Sequence, residues 1–413
     1  MESLAAEILS IIAAADGPLR ARDILEVFES RGQEADKKAI NQTLYSDLAE
    51  KVEKVNGNQW QLAEPNAPSA RPEAETNSSD SPEVTTPLTA ALSDKSGVEP
   101  EWRFERVGAQ GKDRGGITAF EVFRQQNTLS PLEVLVRESI QNSCDARQED
   151  LPADVPVRVN FHLRELNGAA ATSFLDAMGW DSLSPHVEST ASQAGTLQDR
   201  IERDGLSQVK DLSIRVMTIA DYGTEGLWGE EGVDGPVEGN FHRLVRAEMK
   251  THEEGSSTTG GSFGLGKAIY WMTSGVSTVL LHSVPANAIN AGQQRLIGCT
   301  WLPSHTTGDG KLWNSDGGWF GAPDEDVDGR PRTVSLWSED AADTADALGI
   351  PRAQGEYGTS FAIVAFDNPD EDDEPDVAAT CDALRRFVVK WYWPAICAKS
   401  LRVSVTGQVD DKV

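Results

Sequence analysis

The sequence predicts a mixed α/β protein with more than one domain, and three observations support this. The chain has 413 residues, of which 39% are hydrophobic and 25% charged, enough for two or three domains with sizeable cores. Segments with the apolar alternation of strands are interspersed with segments of helical periodicity. Residues 63–100 are rich in Pro, Ser, Thr, Glu and Ala, which predicts a disordered linker between two folded parts.

The composition limits where the protein works and what it binds. Its net charge is −29, which argues against a surface that coats nucleic acid or anionic membrane as a whole but leaves room for a local basic groove. The N-terminus lacks the basic region of a signal peptide, and no run reaches the roughly 18 apolar residues of a membrane span. The cysteines are scattered without metal-ligand spacing, which predicts reduced thiols in a cytoplasmic protein.

Residues 1–62 are predicted to form three helices followed by a short hairpin. The first helix covers residues 4–14 and ends at Asp16-Gly17-Pro18, and the third carries Ile40, Leu44 and Leu48. Asn56-Gly57 separates two short strands, as in a hairpin with a tight turn. This order of elements resembles a winged helix, including the HARE-type modules found with restriction systems.

In a winged helix the third helix reads DNA. The resemblance therefore implies DNA contacts from Lys37, Lys38, Asn41, Gln42 and Tyr45. The charge balance weakens this interpretation, because residues 1–62 hold seven basic and eleven acidic residues. Winged helices also serve as protein-docking modules, so a DNA partner and a protein partner are both retained for this domain.

The stretch Leu132–Ala146, LEVLVRESIQNSCDA, is predicted to be an amphipathic helix. Ser130 suits the N-cap, Pro131 suits the first helical position, and Glu133 stands three residues after the cap. At about 100° per residue an apolar stripe is followed by a polar stripe, which consists of Glu138, Asn142 and Asp145. Because the wet side of any surface helix has such a stripe, its meaning depends on the motifs that follow.

Three further motifs occur downstream in a fixed order. The predicted strand LSIRVMTIA ends at Asp221, which is followed by Gly223 and Gly226. A glycine-rich turn then precedes a predicted helix and consists of Gly261, Ser262, Phe263, Gly264, Leu265, Gly266 and Lys267. Finally, Gly358-Thr359 opens the strand SFAIVAF. Residues 222–260, between the second and third motifs, have the glycine- and glutamate-rich composition of a mobile lid.

Together these motifs resemble the boxes of the GHKL ATPase superfamily, and RESIQNSCDA with GGSFGLGKA is closest in form to its prokaryotic MORC-like and MutL-like members. The resemblance implies a Bergerat fold over residues 101–405, followed by a tail at 406–413. That fold is a two-layer α/β (α+β) sandwich with helices on one face of a mixed sheet. The resemblance also implies ATP and Mg²⁺ as cofactors.

The resemblance implies a role for each box. Glu138 would polarise the attacking water, Asn142 would ligate Mg²⁺, and Asp221 would accept a hydrogen bond from the adenine amino group, with Thr359 supporting it through a water. These residue types suit phosphoryl transfer, because a carboxylate one helical turn from a metal-binding amide can be held near the terminal phosphate. The other implied nucleotide contacts are Asp145, Gly223, Gly226 and residues 261–267, whose glycines permit close backbone approach.

Two features depart from simple motifs. Residues 261–267 also match Gly-x-x-x-x-Gly-Lys of a P-loop, but Ala268 stands where Ser or Thr would ligate magnesium, and no hydrophobic strand precedes the segment. Lys267 is expected either to reach a phosphate or to be exposed.

The segment from Asp221 to Gly226 has one residue more than the family's Asp-x-Gly-x-Gly. No distal catalytic lysine can be assigned, so we expect a longer protein or dependence on partner subunits.

The sequence thus predicts a Mg²⁺-dependent ATPase in which nucleotide closes a lid and drives homodimerisation. Closure would switch an activity directed at DNA or at a protein partner. We expect this activity to serve bacterial antiviral defence, with further subunits of a defence system as possible partners and with no membrane involved. The alternative is a DNA-binding regulator that senses nucleotide without hydrolysing it. A histidine kinase is disfavoured, because no helical segment centred on a phosphoacceptor His precedes the ATP-binding motifs.

Overall fold

The computed structural model describes two compact units, 1–90 and 91–413. The described residues are 4–13, 19–20, 24, 27–28, 31, 52–55, 59–62, 97–107, 129–193, 197, 200–231, 239–246, 266–286, 290–325, 331–368 and 376–410. The predicted DNA contacts Lys37, Lys38, Asn41, Gln42 and Tyr45 lie outside these ranges, as does most of the predicted linker.

The described residues of the first unit include helix α1 and a small antiparallel sheet, and residues 24, 27 and 28 are also helical. Helix α1 is followed by strands in the spatial order β1-β3-β2, with the bounds α1 (Leu4–Ala13), β1 (Leu19–Arg20), β2 (Val52–Val55) and β3 (Gln59–Leu62). Strands β2 and β3 pair from Val52 with Leu62 to Val55 with Gln59, so the predicted hairpin around Asn56-Gly57 is confirmed. Ile8 and Ile11 of α1 are buried.

The second unit is built on an 11-stranded sheet. Its main path has the order β11-β10-β8-β7-β13-β6-β5-β14, and β4, β9 and β12 pair with strands of this path. The strands are β4 (Glu101–Arg106), β5 (Val157–Asn167), β6 (Ser213–Tyr222), β7 (Thr278–Val284), β8 (Arg295–Thr300), β9 (His305–Thr306), β10 (Leu312–Glu325), β11 (Pro331–Val334), β12 (Leu336–Trp337), β13 (Gly358–Val364) and β14 (Leu401–Val409). Among the described residues only β5 and β14 pair in parallel, so the predicted mixed sheet is confirmed.

Helices cover both faces of this sheet. They are α2 (Pro131–Asp145), α3 (Ala169–Ala177), α4 (Trp180–Ala191), α5 (Leu206–Lys210), α6 (Ala268–Met272), α7 (Ser338–Ala347) and α8 (Val377–Cys397). One apolar cluster joins α2, α6 and α8 to residues such as Phe361 and Ile363 of β13. A second cluster joins α3, α4, α5 and α7 to the intervening Ala362 and Val364.

The predicted mixed α/β architecture is confirmed, and helices also cover the sheet face that the two-layer prediction left without them. The central strands have apolar side chains at successive positions and not only at alternate ones, so both of their faces must be shielded from water. Packing helices on one face alone would leave residues such as Val216 and Leu280, now fully buried, in contact with solvent. The outcome is a helix–sheet–helix arrangement over the centre of the sheet.

Two segments have more strand than the sequence predicted. Residues 305–325, for which the sequence analysis predicted no strand, contain β9 and the 14-residue strand β10. Its glycines allow close packing, because a Cβ at Gly318 would collide with the Phe104 ring and one at Gly321 with the Val334 carbonyl. Strand β14 continues to Val409, so residues 406–409 extend the sheet where a tail was expected. No helix within the described ranges is long and apolar enough to span a membrane.

A buried histidine pair joins β4, α4 and β9. The rings of His186 and Phe104 stack with centroids 3.5 Å apart, and Trp313 meets the same imidazole edge-on. His305 Nδ1 lies 2.8 Å from the Pro303 carbonyl and therefore holds its proton there, so His186 Nδ1 donates to His305 Nε2 at 2.8 Å. Burial, together with His305, lowers the pKa of His186 to about 4.

This pair makes the stability of the second unit dependent on pH. The folded state disfavours protonated His186, so the unfolded state binds more protons between about pH 4 and the unfolded pKa of about 6.5. Stability is complete above that window and falls as pH decreases through it. We expect a loss of about 1 to 2 kcal/mol between pH 7.5 and pH 5 in urea unfolding. His186→Phe, which keeps the stacking and removes the proton site, should flatten the profile; an equally steep profile in the variant would assign the effect to other groups.

Candidate functional site

Helix α2 forms as its sequence predicts. The Ser130 side chain accepts a hydrogen bond from the Glu133 N–H at 3.2 Å, and Pro131 opens the helix. The apolar stripe is buried in the first cluster. The Glu133 carboxylate also reaches α8, where it accepts hydrogen bonds from Lys390 Nζ at 2.5 Å and Trp391 Nε1 at 2.8 Å. The N-terminal turn of α2 is therefore fixed by its cap and by a neighbouring helix.

The carboxylate of Asp221 is held by three segments of the chain. Its Oδ1 accepts hydrogen bonds from the Thr224 hydroxyl at 2.6 Å and from the Thr359 N–H at 2.8 Å. Its Oδ2 lies 3.2 Å from Ser143 Oγ on α2. The family resemblance implied that Thr359 supports Asp221 through a water, whereas here its backbone amide bonds the carboxylate directly. The predicted motifs on helix α2, at Asp221 and at Gly358-Thr359 thus meet at the Asp221 carboxylate.

Arg352 supports Asp221 from the opposite side of the sheet. The residue is 4% exposed, and its guanidinium donates to the Asp221 backbone carbonyl at 2.6 Å, to the Glu356 carbonyl at 3.0 Å and to Ser360 Oγ at 2.9 Å. Burial raises the pKa of the Asp221 carboxyl, and the positive charge of Arg352 opposes that rise. The arginine therefore favours the ionised form of a carboxylate that is shielded from water.

The polar stripe of α2 also meets the glycine-rich turn. Glu138 is 8% exposed, and its Oε1 pairs with Arg137 at 2.6 Å. A Cβ placed on Gly266 would collide with the Glu138 carboxylate, so the backbone at the end of the glycine-rich turn passes directly against that group. Residues 261–265 lie outside the described ranges. Asn142 and Asp145 are exposed on the same helix, as the polar stripe predicted.

Tyr270 of α6 connects this arrangement to the sheet. Its ring stacks on Phe361 of β13 with centroids 4.5 Å apart. Its hydroxyl hydrogen-bonds with Ser139 and Asn142 of α2, and burial raises the pKa of the phenol to about 12. A neutral tyrosine therefore orients the exposed amide of Asn142 from the helix that follows the glycine-rich turn.

Lys267 is not exposed, which was one of the two expectations for it. The residue is buried, at 9% exposure, and its ammonium donates to the backbone carbonyls of Arg243 at 3.2 Å and Leu244 at 3.1 Å. These carbonyls belong to the π-helical turn His242–Arg246. The lysine thus links the glycine-rich turn to the segment that precedes it, and its contact with a phosphate stays a prediction.

The described part of the predicted lid is anchored. Buried Arg295 donates to the carbonyls of Leu227 and Gly229 and pairs with Glu231, which also lies 3.5 Å from Arg246. Gly226 has φ of +66° and packs so closely on β7 that a Cβ would meet a carbonyl there. Residues 222–231 and 239–246 of the predicted lid therefore contain specific contacts to the rest of the unit, and the mobility of the lid stays a prediction. The prediction for the remaining residues lies outside the described ranges.

Sequence reasoning missed several residues of this site. Ser143 follows Ser139 by one helical turn and could have been found from helical periodicity, as a hydroxyl between the two stripes. Thr224 stands only three residues after Asp221, but a lone threonine in a glycine-rich loop has no specific signal. Arg352 is 131 residues from Asp221, and no motif marks it.

No protein-family model and no curated protein matches the chain. Within the described ranges, no group of three His, Cys, Asp or Glu side chains is arranged to hold a metal ion. Mg²⁺ needs no such group, since it keeps several waters and is bound through one or two protein ligands plus substrate phosphates. The exposed Asn142 amide, one turn from Glu138, fits that mode of binding.

The contact between Gly266 and Glu138 can be tested by adding one methyl group. Gly266→Ala should force the Glu138 carboxylate, the end of a flexible side chain, to move and cost about 1 kcal/mol of unfolding free energy, and this cost should disappear in a Glu138→Ala background. Gly308→Ala is the matched control, because a Cβ there meets nothing within 4 Å, and it should change stability by less than about 0.5 kcal/mol. An equal cost of Gly266→Ala in both backgrounds would show that Gly266 does not lie against the Glu138 carboxylate.

Proposed function

We propose that the chain is a Mg²⁺-dependent ATPase of the GHKL type. The observation that supports this is the convergence on α2 of three segments distant in sequence. Ser143, Thr224 and Thr359 surround the Asp221 carboxylate, while Gly266 lies against Glu138. These residues occur in the order that the family's boxes require, and side chains with the required chemistry face one another.

Each residue then has a chemical task. The buried Asp221 carboxylate is an acceptor suited to the exocyclic amine of adenine, and the hydrogen bonds at Oδ1 fix its direction. Asn142, oriented by Tyr270, would hold Mg²⁺, which supplies charge neutralisation at the phosphates. Glu138, buried at the end of the glycine-rich turn, would accept the proton of the attacking water.

We further propose that nucleotide drives lid closure and homodimerisation, which switch a DNA- or partner-directed activity in antiviral defence. The predicted lid covers residues 222–260, and its described part is bonded by Arg295 and Lys267. Residues 1–62 remain the proposed docking module for DNA or for a protein partner.

Asp221→Asn tests nucleotide binding. The amide can still accept the Thr359 N–H, but it presents an N–H₂ group at one of the two oxygen positions and removes the charge. We expect ATP affinity to fall by about tenfold to a hundredfold in calorimetry. Asp343→Asn removes the same charge from the exposed surface of α7 and should bind like the parent. A wild-type dissociation constant for Asp221→Asn would remove Asp221 from the site.

Glu138→Ala tests hydrolysis. The variant should bind ATP with nearly unchanged affinity, because the proposed recognition groups are Asp221 and Asn142, and should lose about 10²- to 10⁴-fold in turnover. Glu188→Ala on the exposed side of α4 is the control and should keep full turnover. Hydrolysis at the parent rate in Glu138→Ala would reject the catalytic role of this carboxylate.

One observation favours a second candidate, a regulator that binds nucleotide without hydrolysing it. The Glu138 Oε1 atom already accepts a hydrogen bond from Arg137 at 2.6 Å, so this oxygen is less available to an attacking water. Single-turnover phosphate release separates the two candidates. Release of one phosphate per bound ATP supports the ATPase, and binding without release supports the regulator.

A further inference from the structure

One sheet face carries an uninterrupted set of polar side chains. Strands β5 and β14 run parallel, and their residues opposite α2 and α8 lie side by side in register. We call these eight residues the polar ladder; the pairs are Arg158 with Arg402, Asn160 with Ser404, His162 with Thr406, and Arg164 with Gln408. Five of them are exposed and the other three are partly exposed. Most of this face is therefore open to solvent, whereas the Arg164 guanidinium at one end donates to the Leu348 carbonyl at 2.9 Å and lies against Gly349.

The ladder is basic in a strongly acidic protein. Three of its residues are arginines, one is a histidine and none is acidic, although the chain as a whole has a net charge of −29. Asp410 lies at the far end of the ladder, where it accepts a hydrogen bond from Gln408 at 2.6 Å and acts electrostatically on His162 and Arg164. At the other end Arg158 and Arg402 stand directly opposite each other, an arrangement that costs stability in the absence of an anion.

Protection of a sheet edge does not account for this pattern. Charged residues on an edge strand discourage pairing with other chains, which would explain Arg402 on β14. Arg158, His162 and Arg164 lie on β5, an inner strand that pairs with β6 on one side and β14 on the other. Their side chains stand above the sheet and do not protect its edge.

We propose that the polar ladder binds the sugar–phosphate backbone of a nucleic acid strand. From Arg158 to Arg164 the ladder extends about 20 Å along the strand, which is the span of several phosphates. Arginine, hydroxyl and amide groups are the donors that contact phosphate and sugar oxygens. The ladder has no aromatic or aliphatic side chain to anchor a protein partner. Its charge and donor chemistry match a polyanion.

The ladder adjoins the residue next to Asp221. The Tyr222 ring lies on the ladder side of β6, with the guanidinium carbons of Arg158 and Arg352 4.6 Å and 4.4 Å from its centroid. Arg352 in turn bonds the Asp221 carbonyl. Bound nucleic acid would therefore act on the strand end that carries Asp221. This coupling to nucleotide rests on the proposed function, whereas binding at the ladder does not.

The test uses the full chain without ATP, so its outcome is independent of the nucleotide site. Fluorescence anisotropy with a labelled strand of about 20 nucleotides, and with the matching duplex, gives affinities at several salt concentrations. Arg402→Glu should weaken binding at least about tenfold and lower the salt slope by about one or more. Arg402→Lys, which keeps the charge, should retain most of the affinity. Arg386→Glu makes the same charge change on exposed α8, over the opposite face, and should bind like the parent.

Each outcome decides the proposal. A larger loss for Arg402→Glu than for Arg386→Glu supports the ladder, and the probe that loses more identifies single-stranded or duplex nucleic acid as the better ligand. Equal affinities of the two variants overturn it and assign any binding to another surface, such as residues 1–62. No binding of the parent chain to either probe at low salt also overturns it. Because Arg402 is exposed, matching thermal unfolding midpoints should confirm that the variants fold.

Discussion

The pairing of a buried carboxylate fixes the geometry of the candidate site. Removing a carboxylate from water is costly unless hydrogen bonds and an opposite charge compensate it. Asp221 obtains these partners from four places: α2 through Ser143, its own loop through Thr224, β13 through Thr359, and the loop before β13 through Arg352. Because each partner comes from a different segment, satisfying one charge sets the relative positions of the strand end, the helix and the neighbouring loops.

A second buried charge, that of Arg295, positions the segment that follows Asp221. Arg295 is almost fully buried and lies against Phe241 and Trp337, with its guanidinium carbon 3.3 Å and 4.6 Å from their ring centroids. It also holds two backbone carbonyls and Glu231. A loop rich in glycine would lose much entropy on ordering, and this concentrated set of bonds offsets that loss. Contacts from a distant strand thus hold the described part of a segment whose composition alone predicts mobility.

Local chemistry explains what the sequence could predict. The cap at Ser130 and Pro131, the hairpin around Asn56-Gly57 and the strand ending at Asp221 depend on neighbouring residues, and all appear as predicted. The second helical layer, the strand β10 and Arg352 depend on residues far apart in sequence. A strand whose glycines permit close packing has the same composition as a glycine-rich loop, so β10 could not be distinguished from a loop by its sequence. The grouping of the motifs around α2 agrees with the prediction, while the nucleotide and its hydrolysis remain proposals.

The alternation of side chains along β6 gives one strand end two roles. Asp221 faces the layer of α2, and Tyr222, the next residue, faces the opposite side, where Arg158 and Arg352 contact its ring. Arg352 bonds the Asp221 carbonyl and also contacts the Tyr222 ring, so it contacts both of these consecutive residues. An anion that drew Arg158 away from Tyr222 would change the surroundings of Arg352, and with them the charge balance of Asp221. Two surfaces that share no ligand contact can thus be coupled through consecutive residues of a single strand.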